Sequence, residues 1–208
     1  MRRQDITFED KDQALRDDVR TLGALVGGLL REQGGDELFD FVETARVRAI
    51  RRREGNERPG ESLTDFIKEV DLSLATEVIR AFSTYFQVTN TAEKVHRIRR
   101  RREYLQKVGQ YQPGGLEETL VKLKAAGFDI PALQELLNRI QIEPVFTAHP
   151  TEPTRRTVLR KEPRIVRRLI DMLNPTMTVQ ETEACIENIK LDITTGWQTQ
   201  EHPAERMT

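Results

Sequence analysis

The 208 residues carry 34 acidic and 33 basic side chains, a formal net charge of -1, so the chain as a whole is no polycation built for nucleic acid. Hydrophobic content of 37% beside 32% charge suits amphipathic helices with solvated faces, in one large domain or two small ones. A single cysteine, Cys185, excludes an intrachain disulfide, and the sequence has neither a signal-type leader nor a run near the ~20 apolar residues of a membrane span. A soluble, cytoplasmic protein is the expectation.

In chain order, Leu15, Val19, Leu22, Val26, Leu29 and Leu30 recur at three- and four-residue steps and predict a helix over Lys11 to Glu32. Gly23, Gly27 and Gly28 weaken it, by up to ~1 kcal/mol each relative to alanine, and suggest close helix packing. Gly34-Gly35 ends it. A second helix places Leu38, Val42, Ala45 and Ala49 inward, with arginines at its C-terminal end, where the helix dipole favours cations. A polar loop from Glu54 to Gly60 precedes a short helix over Leu63 to Val70.

The long element is Leu72 to about Gln106. Leu74, Val78, Ala81, Tyr85, Val88, Ala92 and Val95 form a sustained stripe, which Ala75, Ile79, Phe82 and Phe86 widen into an expected broad buried face. Gln112 to Gly115 breaks the chain, and Leu116 to Ala126 predicts a helix stopped by Gly127. Asp129 is placed to cap the next helix, with Pro131 in its first turn.

Ile142 to Thr147 is the one strand signal, reading as a short buried strand that delivers His149 to its end. Pro150 and Pro153 fix the path into a basic helix, in which Pro163 predicts a kink or a split. Thr178 to Glu181 is a capping-box pattern opening a last helix with Thr182, Ile186, Ile189 and Ile193 inward. One strand among so many helices leaves its backbone groups unpaired. Either it is a buried extended loop, or the rest of its sheet lies beyond Thr208; the second option is favoured.

His149 is the candidate of chemical interest. A titratable imidazole beside Arg155, Arg156, Arg160 and Lys161 suits a site that binds negative charge, whereas a histidine between prolines is also often only structural. His96 reads as part of a solvated helix end, His202 has no context, and Asp192 and Glu201 read as surface carboxylates. No His, Cys, Asp or Glu grouping has a metal spacing. The runs Arg51 to Arg53 and Arg97 to Arg102 have three readings: helix-terminal charges paired with carboxylates, a phosphate or subunit contact, or nucleic-acid binding. The last is weakest, because the runs lack interleaved aromatics. Gly27-Gly28 matches no phosphate-loop fingerprint.

Phe-Thr-Ala-His-Pro-Thr-Glu at 146–152, followed by Thr-Arg-Arg-Thr at 154–157, resembles the histidine signature of phosphoenolpyruvate carboxylases. Phe82 to Glu103 is similar to a helix of that family reading roughly Phe-x-x-x-Phe-x-x-x-Asn-x-Ala-Glu-x-x-His-Arg. Trp197 to Glu201 is similar to its Trp-Gln-Thr-Asp-Glu region, with Gln200 departing where an acid is usual. Pro163 is a second departure.

The resemblance implies a mainly α segment: a helical N-terminal region, 1–140, leading into the start of a catalytic α/β barrel of TIM type, 141–208, whose remainder is not in this chain. Ile142 to Thr147 would be an early barrel strand, with His149 at its C-terminal end, where barrel active sites lie. The implied reaction joins phosphoenolpyruvate and bicarbonate to give oxaloacetate and phosphate, an anaplerotic carbon fixation, with Mg²⁺ as cofactor and through carboxyphosphate and an enolate. His149 would take the carboxyphosphate proton, and Arg155 and Arg156 would bind a substrate or effector anion. Partners implied are the two substrates and copies of the chain in a tetramer, with no nucleic acid or membrane. The family's metal-binding acids have no counterpart here, so the chain alone is expected to be inactive. Two alternatives from other classes are a phosphohistidine-type phosphotransferase domain and a non-catalytic helical interaction module.

Overall fold

A computed structural model describes residues 10–68, 70–107, 109–145 and 156–199, with the backbone alone for 156–159. The described residues are mainly helical. A 3-10 turn at Asp10–Asp12 leads into α1 (Gln13–Arg53), followed by α2 (Leu63–Lys68), α3 (Leu72–Gln106), α4 (Leu116–Ala125), α5 (Ile130–Arg139), α6 (Arg156–Asp171) and α7 (Val179–Trp197). They fall into two compact units, one of Met1–His96 with Pro153–Thr208, the other of Arg97–Glu152.

The first unit holds the core. Leu22, Val26, Leu29 and Leu30 of α1 bury against Ala81, Val88, Ala92 and Val95 of α3, and Ile165, Leu169, Ile189, Ile193 and Trp197 of the last two helices close the cluster. Each fully buried leucine there contributes about 1.5–3 kcal/mol of hydrophobic transfer. The expected glycine break is real: α1 is interrupted at Gly35, where φ is 79° and ψ is 173°, a conformation that only glycine adopts cheaply. The break turns Phe39 back toward Gly27, where an added Cβ would lie 3.2 Å from the ring. Gly23 faces Tyr85 at 3.4 Å in the same sense, so two of the three glycines do serve close packing, while Gly28 faces open space.

Other expectations shift. The stripe on α3 is buried from Ala81 to Val95, but the widened face is not: Ile79 and Phe86 are 71% and 58% exposed. The buried apolar seam is confined to Ala81, Val88, Ala92 and Val95, with Tyr85 partly buried between them, and its flanks face solvent. Ala49 is likewise exposed rather than inward. Pro163 does not split its helix; α6 runs unbroken from Arg156 to Asp171. Glu162, Pro163 and Arg164 all face solvent, while Ile165 and Leu169 hold the next turn down.

The buried strand is not found either. Ile142 and Val145 are each 85% exposed, and the described residues 141–145 adopt no regular structure; no second strand exists among the described residues for them to pair with. Phe146 and Thr147 lie outside the described residues. The cap predictions hold in detail: the Asp129 side chain accepts from the Ala132 amide at 2.9 Å. Thr178 and Glu181 form the reciprocal capping box that opens α7.

Candidate functional site

The segment that carries the sequence signature meets the described structure at the start of α6. His149 and Arg155 lie outside the described residues; Arg156 is the first residue of α6, and only its backbone is described. The described residues of α7 and α3 form the platform that positions this helix.

α6 packs on α7 across the Met172–Thr178 connection. Arg164 and Arg168 stand four residues apart, hence on one face of α6. Both reach Asp192 of α7: Arg164 Nη2 lies 2.7 Å from one carboxylate oxygen, and Arg168 Nη1 pairs with the other. Asp192 is 6% exposed. The expectation of a surface carboxylate is therefore wrong. Asp192 follows Ile189 by three residues and precedes Ile193, so the periodicity that buries those two carries it inward, and the two arginines compensate the buried charge.

One turn before Arg164, Lys161 is also buried, at 5% exposure. Its Nζ donates to Thr199 Oγ1 at 3.2 Å, and that hydroxyl donates onward to the Thr195 carbonyl at 2.6 Å. Burial holds the Lys161 ammonium below the ordinary lysine range; the Arg164 charge pushes the same way, and Asp192 opposes. Trp197, the only tryptophan, lies under the Arg80 guanidinium, 4.5 Å from ring centroid to Cζ, which ties α7 to α3. Lys94 pairs with Glu162, and Lys190 reaches Glu32 at 2.8 Å. The basic helix is thus clamped to α3 directly and to α1 through α7.

His96 departs from its expected solvated position. It is 8% exposed, with Nε2 3.5 Å from Asp12 Oδ1, because it stands four residues after Ala92, on the buried face of α3. The arginine runs find local acids. Arg51 pairs with Glu61, and Arg48 donates to the Ser62 carbonyl at 3.2 Å while stacking 4.4 Å from the Phe66 ring. Arg100 pairs with Glu103 and donates to the Tyr104 hydroxyl at 3.2 Å. A cavity of 220 Å³ lined by Glu43, Arg48, Arg51 and Glu61 is therefore bordered by charges already engaged within the chain. Among the described residues no three potential metal ligands gather, and no buried side-chain nitrogen or oxygen lacks a hydrogen bond. These residues do not supply a ligand set for Mg²⁺.

The fold and platform define a helical segment that anchors a basic helix directly after the histidine signature. Its sequence places it further. A family model described as phosphoenolpyruvate carboxylase matches residues 15–208. The chain is 46% identical over 208 residues to a phosphoenolpyruvate carboxylase of Xanthomonas oryzae pv. oryzae, covering 99% of this chain and 23% of the relative. It is 36% identical over 203 residues to one of Nitrosomonas eutropha, and 38% over 190 residues to one of Ralstonia nicotianae, covering 97% and 91% of this chain and 22% and 19% of those relatives. The chain belongs to the phosphoenolpyruvate carboxylase family and spans about a quarter of the length of these relatives, at their N-terminal end.

Proposed function

We propose that these 208 residues serve as the N-terminal part of an enzyme that carboxylates phosphoenolpyruvate with bicarbonate, giving oxaloacetate and phosphate. The observation that carries this reading is the family match over residues 15–208, which embraces all three motif segments in order. On this reading 1–140 form a helical region and 141–208 begin a barrel, in which Ile142 to Thr147 pair with a neighbouring strand. The soluble, tetrameric, Mg²⁺-dependent enzyme of the family is part of the same proposal, with the metal held by residues other than those described.

In the proposed chemistry, bicarbonate oxygen attacks the phosphorus of phosphoenolpyruvate, and the enolate of pyruvate leaves. His149 takes the carboxyl proton of the resulting carboxyphosphate. The carboxylate then expels phosphate as carbon dioxide forms, and the enolate carbon attacks that carbon dioxide. Arg155 and Arg156 offer planar, permanently charged donors for a substrate or effector anion. The clamp on α6 supports this assignment physically, since Asp192 and Lys161 fix the helix that Arg156 opens.

The test is bicarbonate-dependent oxaloacetate formation by the protein carrying these residues in its full natural length. His149→Asn should lower turnover about 10²–10⁴-fold, the range for a general base, with the helical circular dichroism unchanged. Near-normal turnover removes His149 from the mechanism. Acid-labile phosphate on His149 after incubation with phosphoenolpyruvate would instead establish the phosphohistidine transferase reading.

A further inference from the structure

The second compact unit, Arg97–Glu152, has no buried residue among its described residues. Besides the C-terminal end of α3 it holds α4 and α5, 10 residues each, shorter than the ~12–15 at which even alanine-rich helices become marginal in water. Their apolar side chains are largely uncovered: Leu116 is 76% exposed, Ile130 82%, Leu137 53% and Ile140 54%, while Leu120 and Leu136 are 40% and 38% exposed and Leu123 and Leu133 are half-buried. Ile142, in the extended segment that follows, is 85% exposed. Helices this short, α5 with a side-chain N-cap and α4 without one, and neither with a buried residue, do not persist without a cover, so a permanent part of the native protein is the natural cover.

We infer that the apolar faces of α4 and α5, with the extended segment 141–145, form a docking surface for the part of the family fold that follows the matched N-terminal quarter. This rests on the family reading above. The chain accounts for only 23% of the length of its Xanthomonas oryzae relative, so the remaining three quarters of that fold is available as the partner, and it is permanently present in each such protein. A second copy of this chain fits less well. Reversible association would have to supply the folding free energy of α4 and α5 as well as the cost of association itself. The occupant must present complementary apolar side chains to α4 and α5, together with backbone donors and acceptors for 141–145.

Amide hydrogen exchange tests this on two proteins: the 208-residue chain, and a full-length chimera in which it replaces the matched N-terminal portion of the Xanthomonas oryzae relative. In the 208-residue chain, residues 116–145 should exchange near the unprotected rate at every protein concentration, while α1 and α7 are protected. In the chimera the same segment should slow by at least about 100-fold. Protection in the 208-residue chain that is independent of concentration would show a core of its own; protection that rises with concentration would show a second copy as occupant. Either overturns the inference, as does unchanged exchange in the chimera. Ile130→Asp with Leu137→Asp should leave the melting temperature of the 208-residue chain unchanged and lower that of the chimera; destabilisation of the 208-residue chain would refute the bare face. Should the chimera not fold, the relative at full length and cut after its matched quarter serves in the same comparison. A chimera that protects this segment without making oxaloacetate sinks only the functional reading; one that turns over while the segment exchanges freely sinks only the docking surface.

Discussion

Asp192→Asn isolates the clamp beneath the candidate site. The substitution keeps the shape and removes the charge that Arg164 and Arg168 share. Removing one partner of a fully buried pair costs about 3–5 kcal/mol, because the other charge is stranded. Here the arginines retain solvent: their side chains are 50% and 25% exposed, so water takes up part of the loss. Arg164 behaves as a surface partner worth up to about 1 kcal/mol. Arg168 makes a charged hydrogen bond in a partly desolvated setting, worth about 1.5–3 kcal/mol. Asparagine keeps one acceptor, which returns some of this, so the expected net cost is about 2–3 kcal/mol. In a chain of this size that corresponds to a melting temperature lower by roughly 4–12 °C. Urea unfolding followed by Trp197 fluorescence reads the loss locally, since the only tryptophan lies five residues along the same helix. A double-mutant cycle should give a larger coupling of Asp192 to Arg168 than to Arg164. A cost below about 0.5 kcal/mol, the usual range for a surface substitution, would refute the clamp.

Three further outcomes follow from the same packing. Leu29→Ala, at a wholly buried position, should cost about 2–5 kcal/mol by urea titration, and a smaller loss would mean that α1 and α3 collapse to fill the space. Gly35→Ala should destabilise by more than about 1 kcal/mol, because alanine must adopt φ 79°; an unchanged midpoint would show that the break in α1 is dispensable. Glu43 is held below the ordinary glutamate range, first by the hydrogen bond from Arg46, with Arg46 Nε at 2.9 Å, and burial opposing. Its contribution is therefore full above the ordinary value near 4.3, and is lost as pH falls through the lower folded value. Wild type should lose up to about 1 kcal/mol more than Glu43→Gln between pH 7 and pH 3. Parallel pH profiles would remove the pair from the stability balance.

Where the sequence was legible, one local rule settled the outcome. The caps at Asp129 and Thr178 depend on three or four adjacent residues, and the break at Gly35 on a backbone angle open to glycine. Burial is different, because it depends on what lies opposite. Ile79 and Phe86 have the spacing of a core face, but the buried seam of α3 does not extend to them. Ile142 and Val145 have strand composition, but no strand to pair with among the described residues.

Asp192 and His96 failed for the opposite reason: a polar residue was read by its type, although its position on the helix pointed inward. The signal was present in both cases. Asp192 stands between Ile189 and Ile193 on α7, and Arg164 and Arg168 flank Ile165 and Leu169 on α6, so apolar residues that must meet across two helices bring those charges together. A lone carboxylate on an apolar stripe, opposite two arginines one turn apart on the neighbouring stripe, is therefore better read as a buried ion pair than as an accident of the surface. Such a pair favours one register of α6 on α7, because a slip along either helix would strand a charge that about 2–3 kcal/mol keeps in place. The same register sets where α6 begins, and hence where the chain leaving the histidine signature enters the fold.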